Sequence, residues 1–484
     1  MITAIEAARA TGGAWLGPPP APDLVLRGGA GDTRALAGAE VFFALRGERG
    51  DGHDHLHRLA GSGVKLAVVG PRAESPQGLA PGYRGAMLRV GDPLQALGAM
   101  AAHLVRKHRP TVVAVAGSYG KTTAKEVIAH VLAGRRRVLK TPGSHNNEIG
   151  VPLALLGLDG SQDTAVLEFS ARKEGDIATL GSIAPPDIAV LLAVGRAHIG
   201  VFGSQEAIYR AKGEIFAHLR PGGLAIVGAA DRRLRQLAGR RRTVTFGGPD
   251  GDFRAAEISS DAMGRRRFAG LNGTARVAFR AGIGGAHGHI PILAAWAVAR
   301  ELGISDGEVA ERAGYAPQQK GRAVRLEAPG GAVVIDDTYN ASPETVIGLI
   351  DSLAEMAADE RILVLGHLSE LEEGLAESAA LIGARLRPPL AKCLVHAPLA
   401  PGFCERLRAL AEGVEVVCIE GRDDLIAALR ELDRPGRLIG IKGARSAHME
   451  RALHAMLGSK IACDLKSCGL ISHCTDCNEM TGQG

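Results

Sequence analysis

Apolar residues in this chain fall mostly in short unbroken runs, and stretches with apolar residues at helical spacing lie between them. An unbroken run suits a strand buried on both faces, whereas a strand with one wet face alternates. Thr111-Val-Val-Ala-Val-Ala116 is such a run, followed by a glycine-bearing turn and a helix-like stretch from Thr122 to Leu132. Thr164–Glu168, Ile188–Val194 and Gly223–Val227 repeat the pattern, which predicts a doubly wound sheet closed by a helix over Ile292–Leu302. From about Gly314 the pattern restarts, with strands expected at Ala332–Ile335, Arg361–Leu365, Lys392–Val395, Val414–Val417 and Leu438–Ile441. Upstream, Val41–Leu45 and Val64–Val69 read as strands, and Leu94–Lys107 reads as a helix leading into the central unit. The expectation is an α/β protein of three domains: a smaller N-terminal α/β domain (1–108), a central doubly wound parallel sheet (109–313) and a C-terminal Rossmann-like domain (314–460), with a Cys-rich tail at 461–484.

Length agrees, since 484 residues exceed what one core can organise. Aromatics are only 4% of the chain, so the cores must be built from Ala, Val, Leu and Ile. A formal charge of +5 suits the handling of anionic small molecules and does not indicate nucleic-acid binding. The arginine runs Arg135–Arg137, Arg240–Arg242 and Arg265–Arg267 have no aromatic platforms among them and read as solvated turns. No apolar stretch approaches the ~20 residues of a membrane span. The N-terminus, with Glu6 in it, lacks a signal-peptide pattern, so a cytoplasmic protein is expected. Seven cysteines in a cytosolic chain argue against a disulfide framework.

Gly117-Ser-Tyr-Gly-Lys-Thr-Thr123 lies directly between the first central strand and its helix. Backbone N–H groups and a helix N-terminus there can surround phosphate oxygens. Gly117, Ser118, Gly120 and Thr123 would form the cradle, Lys121 would neutralise the terminal phosphates, and the Thr122 hydroxyl would hold Mg²⁺. Val115 stands where the usual spacing wants its first glycine, which makes this a shortened P-loop and disfavours a P-loop kinase or GTPase.

The shortened loop resembles that of the Mur ligase superfamily, and the flanking segments agree in order: Thr141–Pro152 with its Asn146-Asn147 pair, Ala165–Phe169, Gly195–His198, Ala211–Phe216, Gly321-Arg322, Ile335–Pro343 and Lys442–Ser446. Asp32-Thr-Arg34, Phe42–Gly47 and Asp51-Gly-His53 match in the N-terminal third. The resemblance covers residues 1 to about 458 and points to the D-alanyl-D-alanine-adding branch. A folate-type ligase is disfavoured by the hundred or so residues that precede the phosphate loop.

That resemblance implies an ATP-dependent amide ligase of peptidoglycan synthesis, in which ATP activates a carboxylate as an acyl phosphate and an amine then attacks. The implied partners are a UDP-linked muramoyl peptide and D-alanyl-D-alanine, with no nucleic acid or membrane, and a monomer. Two Mg²⁺ ions are implied: one on Thr122 and Glu168, the second served by His198 and by Lys212, the lysine this family carbamylates with CO₂. Asn147 would lie by the nucleotide, while Arg322, Asp337 and Asn340 would grip phosphate and ribose. Thr33, Arg34, Asp51 and His53 would meet the uridine diphosphate moiety. Lys442 and Arg445 would receive the carboxylate of the incoming dipeptide. Each has a plainer reading: a strand-end histidine at 198, a surface lysine at 212, a helix start after Lys442.

Four departures from the family pattern stand out. Gly288 and Pro291 occupy positions where asparagines near the adenine are expected, and Gly has no amide side chain to offer. Ser170-Ala-Arg-Lys173 brings two cations where a neutral run is usual, which suggests an acceptor with an extra carboxylate or a different local geometry. His367 replaces an acid in Gly366-His-Leu-Ser-Glu-Leu371, and Ser342 replaces an asparagine before Pro343. The tail thiols Cys463, Cys468, Cys474 and Cys477, with His473, have irregular spacing and leave open a Zn²⁺ site or a disordered, redox-exposed tail. An amide ligase of specialised metabolism and an inactive nucleotide-binding scaffold therefore stay open as alternatives.

Overall fold

The structure is a computed structural model describing residues 1–484 apart from 48–49, 74–79, 197–198, 262, 369–373, 397–401, 464–473, 475–476 and 478–484. His198, the Ser369–Leu371 segment, Cys468 and His473 thus lie outside the described residues. The chain forms two compact units, Met1–Val194 with Glu206–Thr245, and Gly195–Gln205 with Phe246–Gly484.

The first unit holds two mainly parallel sheets. The N-terminal one runs Ala14–Leu16, Ala86–Arg89, Leu66–Val69, Val41–Phe43, Gly29–Ala30, with only the first pair antiparallel. The larger sheet runs Arg242–Phe246, Leu224–Gly228, Ile188–Leu191, Thr111–Ala116, Thr164–Glu168, Val138–Lys140. Thr111–Ala116 is central and pairs in parallel with strands on both sides, and Val112 through Ala116 are fully buried. This explains the unbroken apolar run, because neither face of a central strand reaches water. The helix Pro93–His108 leads into it, started by Pro93 and by Asp92, whose carboxylate accepts from the Leu94 N–H.

The second unit contains a sheet ordered Val324–Glu327, Val333–Asp337, Arg437–Lys442, Glu360–Leu365, Leu390–His396, Glu415–Ile419, parallel apart from its first pair. It also contains a three-stranded antiparallel sheet, Arg254–Ser260, Arg265–Asn272 and Ala275–Gly284. That sheet was not anticipated. Its outer strand alternates exposed Arg276 and Arg280 with buried Phe279, Ala281 and Ile283, a period-two signal that the abundant Arg, Ala and Gly disguise. Its core is aromatic: Trp296, on the helix His289–Glu301, packs against Phe253 and Phe279 with ring centroids 5.0 and 5.3 Å apart.

Two sequence expectations need correction here. Arg265–Arg267 do not form a solvated turn: they open a strand, and Arg266 is buried, paired with Glu355 and donating to the Ala286 carbonyl at 2.9 Å. Arg266 alone of the three lies inside, because a carboxylate from the helix Pro343–Glu355 meets it there; Arg265 is half-buried and Arg267 exposed. Cys404 and Cys418 form a disulfide that links the helix Phe403–Leu410 to the strand Glu415–Ile419. No described helix is long and apolar enough to cross a membrane.

Candidate active site

The strand Thr111–Ala116 delivers the chain into Gly117 and Gly120, which have φ of 150° and 76°. A side chain would be strained at Gly117, where a Cβ would stand 3.1 Å from the Ala193 carbonyl oxygen. Gly120 caps the helix Lys121–Leu132, whose first-turn N–H groups therefore face the loop. Ser118 N–H donates to Ala193 O at 2.7 Å, fixing the turn against the next strand's exit. Lys121 folds its ammonium back onto the Gly117 and Ser118 carbonyls at 2.9 and 3.1 Å, inside the cradle the sequence predicts. Thr122 is buried beneath it.

Glu168 ends the neighbouring parallel strand, in register with Val115, so its carboxylate emerges beside the phosphate loop. It is 1% exposed. One oxygen accepts from Asn146 Nδ2 at 2.7 Å, and the other is buried with no hydrogen-bond partner. A buried carboxylate oxygen without a donor is costly unless a cation meets it. With the Thr122 hydroxyl it supplies the hard oxygen chemistry that Mg²⁺ prefers, so these residues fit the expected ion. His198, assigned to a second ion, falls outside the described residues.

The Thr141–Asn147 loop positions Glu168. Thr141 Oγ1 accepts from the Glu168 N–H at 3.1 Å, and Lys125, fully buried, donates to Thr141 O and Gly143 O, each at 2.6 Å. Asn147 Oδ1 accepts from Gly150 N–H at 2.9 Å, just ahead of the helix Gly150–Leu155. Of the adjacent pair, then, Asn146 touches the acid. Motif matching missed Lys125 and Asn146, although a lysine one helical turn after Lys121, on the same face, was a readable signal.

Lys212, 1% exposed on the helix Gln205–Gly213, donates to Ala171 O at 3.0 Å. Burial, with the nearby Lys121 charge adding to it, lowers its pKa to about 7. The plainer reading, a surface lysine, is excluded by that burial. Arg172 and Lys173 are exposed, and their backbone N–H groups are held by Asp176 at 2.8 and 3.0 Å.

In the N-terminal sheet's loops, Asp51 lines a cleft of about 420 Å³ with Arg46, Gly47, Gly50 and Arg72. His53 is buried behind it, bonded to Asp51 at 2.5 Å and accepting from Gly70 N–H at 2.7 Å. Arg34 is exposed and tied to Asp32, with Thr33 between them.

In the second unit, the Lys442 ammonium meets Asp337 on the adjacent strand, in register. Asp337 also accepts from the Ala323 N–H at 3.2 Å, while the Arg322 guanidinium lies 4.1 Å over the Tyr339 ring and Asn340 is exposed. Arg445 pairs with buried Glu450. Gly288 packs under the backbone, where a Cβ would lie 3.2 Å from the Gly285 and Ile283 carbonyl oxygens, and buried Pro291 opens the aromatic-core helix.

Comparison with known proteins agrees with this arrangement. Residues 115–299 match the Mur ligase middle domain, and residues 321–445 match the Mur ligase glutamate ligase domain. The UDP-N-acetylmuramoyl-tripeptide–D-alanyl-D-alanine ligase of Synechocystis sp. is 33% identical over 88% of this chain and 91% of its own length. The enzyme of that name from Escherichia coli is 31% identical over 90% and 94%. A crystal structure of MurF from Acinetobacter baumannii superposes with a TM-score of 0.84 at 28% identity, covering 94% of this chain and 99% of that one. MurF from Thermotoga maritima in complex with ADP does so at 0.77, with 28% identity and 90% and 97% covered. Sequence likeness across nine-tenths of the relatives' length, together with the matches to the middle and glutamate ligase domains, means that this chain belongs to the Mur ligase family.

Proposed function

We propose that this chain is an ATP-dependent ligase that adds D-alanyl-D-alanine to UDP-N-acetylmuramoyl-tripeptide in the cytoplasmic steps of peptidoglycan synthesis. The observation that carries the reading is the unpartnered Glu168 oxygen beside a glycine loop whose lysine faces its own carbonyls. The resident groups are those needed to hold a triphosphate and one divalent cation. The relatives named for this reaction, aligned over most of their length, supply the substrates.

Amide formation at neutral pH needs a leaving group better than hydroxide, and transfer of the ATP γ-phosphoryl to the tripeptide carboxylate supplies it. The amine of the dipeptide then attacks the acyl carbon, and inorganic phosphate leaves. Lys121 exchanges its carbonyl partners for phosphate oxygens, and the helix beginning at Lys121 directs N–H groups at the same anions. Thr122 and Glu168 would hold Mg²⁺, and Asn146 orients Glu168. Bound magnesium neutralises the charge that gathers as phosphate and carboxylate approach.

Lys212, its pKa lowered to about 7 by burial, is suited to take up CO₂ as a carbamate, giving a carboxylate-like group in a buried position. Asp51 and Arg72 in the N-terminal cleft are assigned to the uridine diphosphate end, with His53 holding Asp51 in place. Lys442 and Arg445 are assigned to the dipeptide carboxylate, and Arg322, Asp337 and Asn340 to the nucleotide.

Phosphate release by the purified chain tests this directly. UDP-muramoyl-tripeptide and D-alanyl-D-alanine are offered together and separately, with ATP and Mg²⁺. Release that requires both establishes the reading. Turnover only with other acid–amine pairs would replace it with a different amide ligase, and no turnover with any pair would leave a nucleotide-binding scaffold.

A further inference from the structure

The Cys-rich tail contributes a thiol to the second unit, whereas the phosphate loop belongs to the first. Cys474 is buried, and its sulfur lies 3.5 Å from His448 Nδ1. The same His448 nitrogen is 3.9 Å from Glu450 Oε1, and the three ligand atoms lie within 4.8 Å of one another. Glu450 is fully buried at the start of the helix Met449–Met456. Its Oε1 meets Arg445, while its Oε2 has no hydrogen-bond partner.

We infer that His448, Glu450 and Cys474 form a binding site for a zinc-class divalent cation, which fastens the tail to the body of the second unit.

The donor set is imidazole, carboxylate and thiolate, which Zn²⁺ takes in preference to hard cations such as Mg²⁺. Tetrahedral ligation with ordinary Zn–S and Zn–N bonds puts sulfur and nitrogen about 3.6 Å apart, close to the separation found. Imidazole and carboxylate oxygen would need about 3.4 Å, so a small movement of Glu450 completes that edge. His448 occupies the left-handed region, with φ of 48°, one residue before the helix begins. That turn places a ring two residues from a carboxylate so that both approach one point. Cys477 N–H donates to Cys474 O at 3.0 Å, and Cys477 is partly exposed. Arg445 lies 3.6 Å from the Cys474 sulfur and would remain as a donor to the thiolate. Binding displaces to solvent the protons that the Cys474 thiol and His448 Nδ1 carry, so uptake of the metal releases protons.

The site differs from one made of the four tail thiols, and the test separates the two. The full chain, with any affinity tag removed, is stripped of metal under reducing conditions, and separate samples are titrated with Zn²⁺ and with Co²⁺. Bound metal is read by mass spectrometry, and thiolate ligation by the sulfur-to-cobalt charge-transfer band. One equivalent should bind, with the band present. Cys474→Ser should abolish the band, and His448→Asn, which tolerates the left-handed backbone, should weaken binding at least ~10-fold with the unfolding midpoint of the apo-protein kept. Glu450→Gln should weaken binding similarly. Cys468→Ser should leave stoichiometry and band unchanged. No bound metal in the folded wild-type chain overturns the proposal. So does full binding by both His448→Asn and Glu450→Gln, or loss of the band in Cys468→Ser.

Discussion

Asn146 donates its side-chain amide to one oxygen of Glu168 at 2.7 Å and leaves the other oxygen buried without a partner. One carboxylate is thus oriented by a neighbour and open to a cation at the same time. Asn146→Ala should raise the Mg²⁺ concentration for half-maximal phosphate release by ~10–100-fold and leave the fold intact. Glu168→Gln should lower turnover beyond ~100-fold, because the amide cannot supply the second anionic oxygen. Magnesium titrations of both variants check this. A Glu168→Gln enzyme with the wild-type magnesium requirement would remove Glu168 from the ion's ligands.

Lys212 gives a pH prediction. Its folded pKa, about 7, lies below the ordinary 10.5, so the unfolded chain binds the proton more tightly. Stability should therefore rise as pH increases from about 7 towards 10.5, and below 7 the full penalty of a buried ammonium is present. Lys212→Met should flatten that slope in urea unfolding midpoints. Carbamylation needs the neutral amine, so wild-type activity in CO₂-depleted buffer should fall and recover with bicarbonate. A carbamate carbon resonance should appear with ¹³C-bicarbonate and be absent from Lys212→Met. Activity indifferent to bicarbonate, with no such resonance, would leave Lys212 an ordinary buried amine.

Legibility in the sequence followed locality. Thr111–Ala116 and Thr164–Glu168 were readable to the residue because an unbroken apolar interior marks a strand buried on both faces, and a threonine stands at the start of each. Lys121, Thr122 and Glu168 were readable because a loop and a strand end announce themselves within a few residues. Arg266 was not, since its partner Glu355 comes from a helix 89 residues away and the local text shows only a basic run. The same holds for Lys125, whose acceptors Thr141 and Gly143 lie across a strand and a loop. The His448–Glu450–Cys474 cluster was invisible because the tail cysteines suggest a site of their own, while two of its ligands sit in the body of the fold.

Lys125 carries a stability prediction. Its ammonium is fully buried, bonded to two loop carbonyls and 2.9 Å from Glu126, which also pairs with Lys140. Lys125→Met keeps the volume but strands the carbonyls of Thr141 and Gly143, and it should cost about 3 kcal/mol in urea unfolding. The loop bearing Thr141 would loosen, so turnover should fall together with magnesium affinity. A loss under about 1 kcal/mol would mean that water replaces the ammonium and that the loop is held by other contacts.

His53 bears on the uridine diphosphate cleft. Gly70 N–H donates to its Nε2, so the other nitrogen carries the proton and donates to Asp51. Burial alone would raise the Asp51 pKa, but hydrogen bonds from His53 and Arg72 outweigh it and hold the carboxyl at about 2. Stability from this pair is fully present above the ordinary 3.8 and is lost as pH falls towards 2. His53→Ala should cost about 2 kcal/mol, since it leaves the buried Gly70 N–H unpaired. It should also shift acid unfolding to higher pH. If Asp51 acts on the nucleotide end of the acceptor, the same change should raise KM for the UDP-linked substrate several-fold and leave KM for ATP unchanged. Equal effects on both KM values would point to general loosening of the unit, and an unchanged KM for the UDP substrate would remove Asp51 from its recognition.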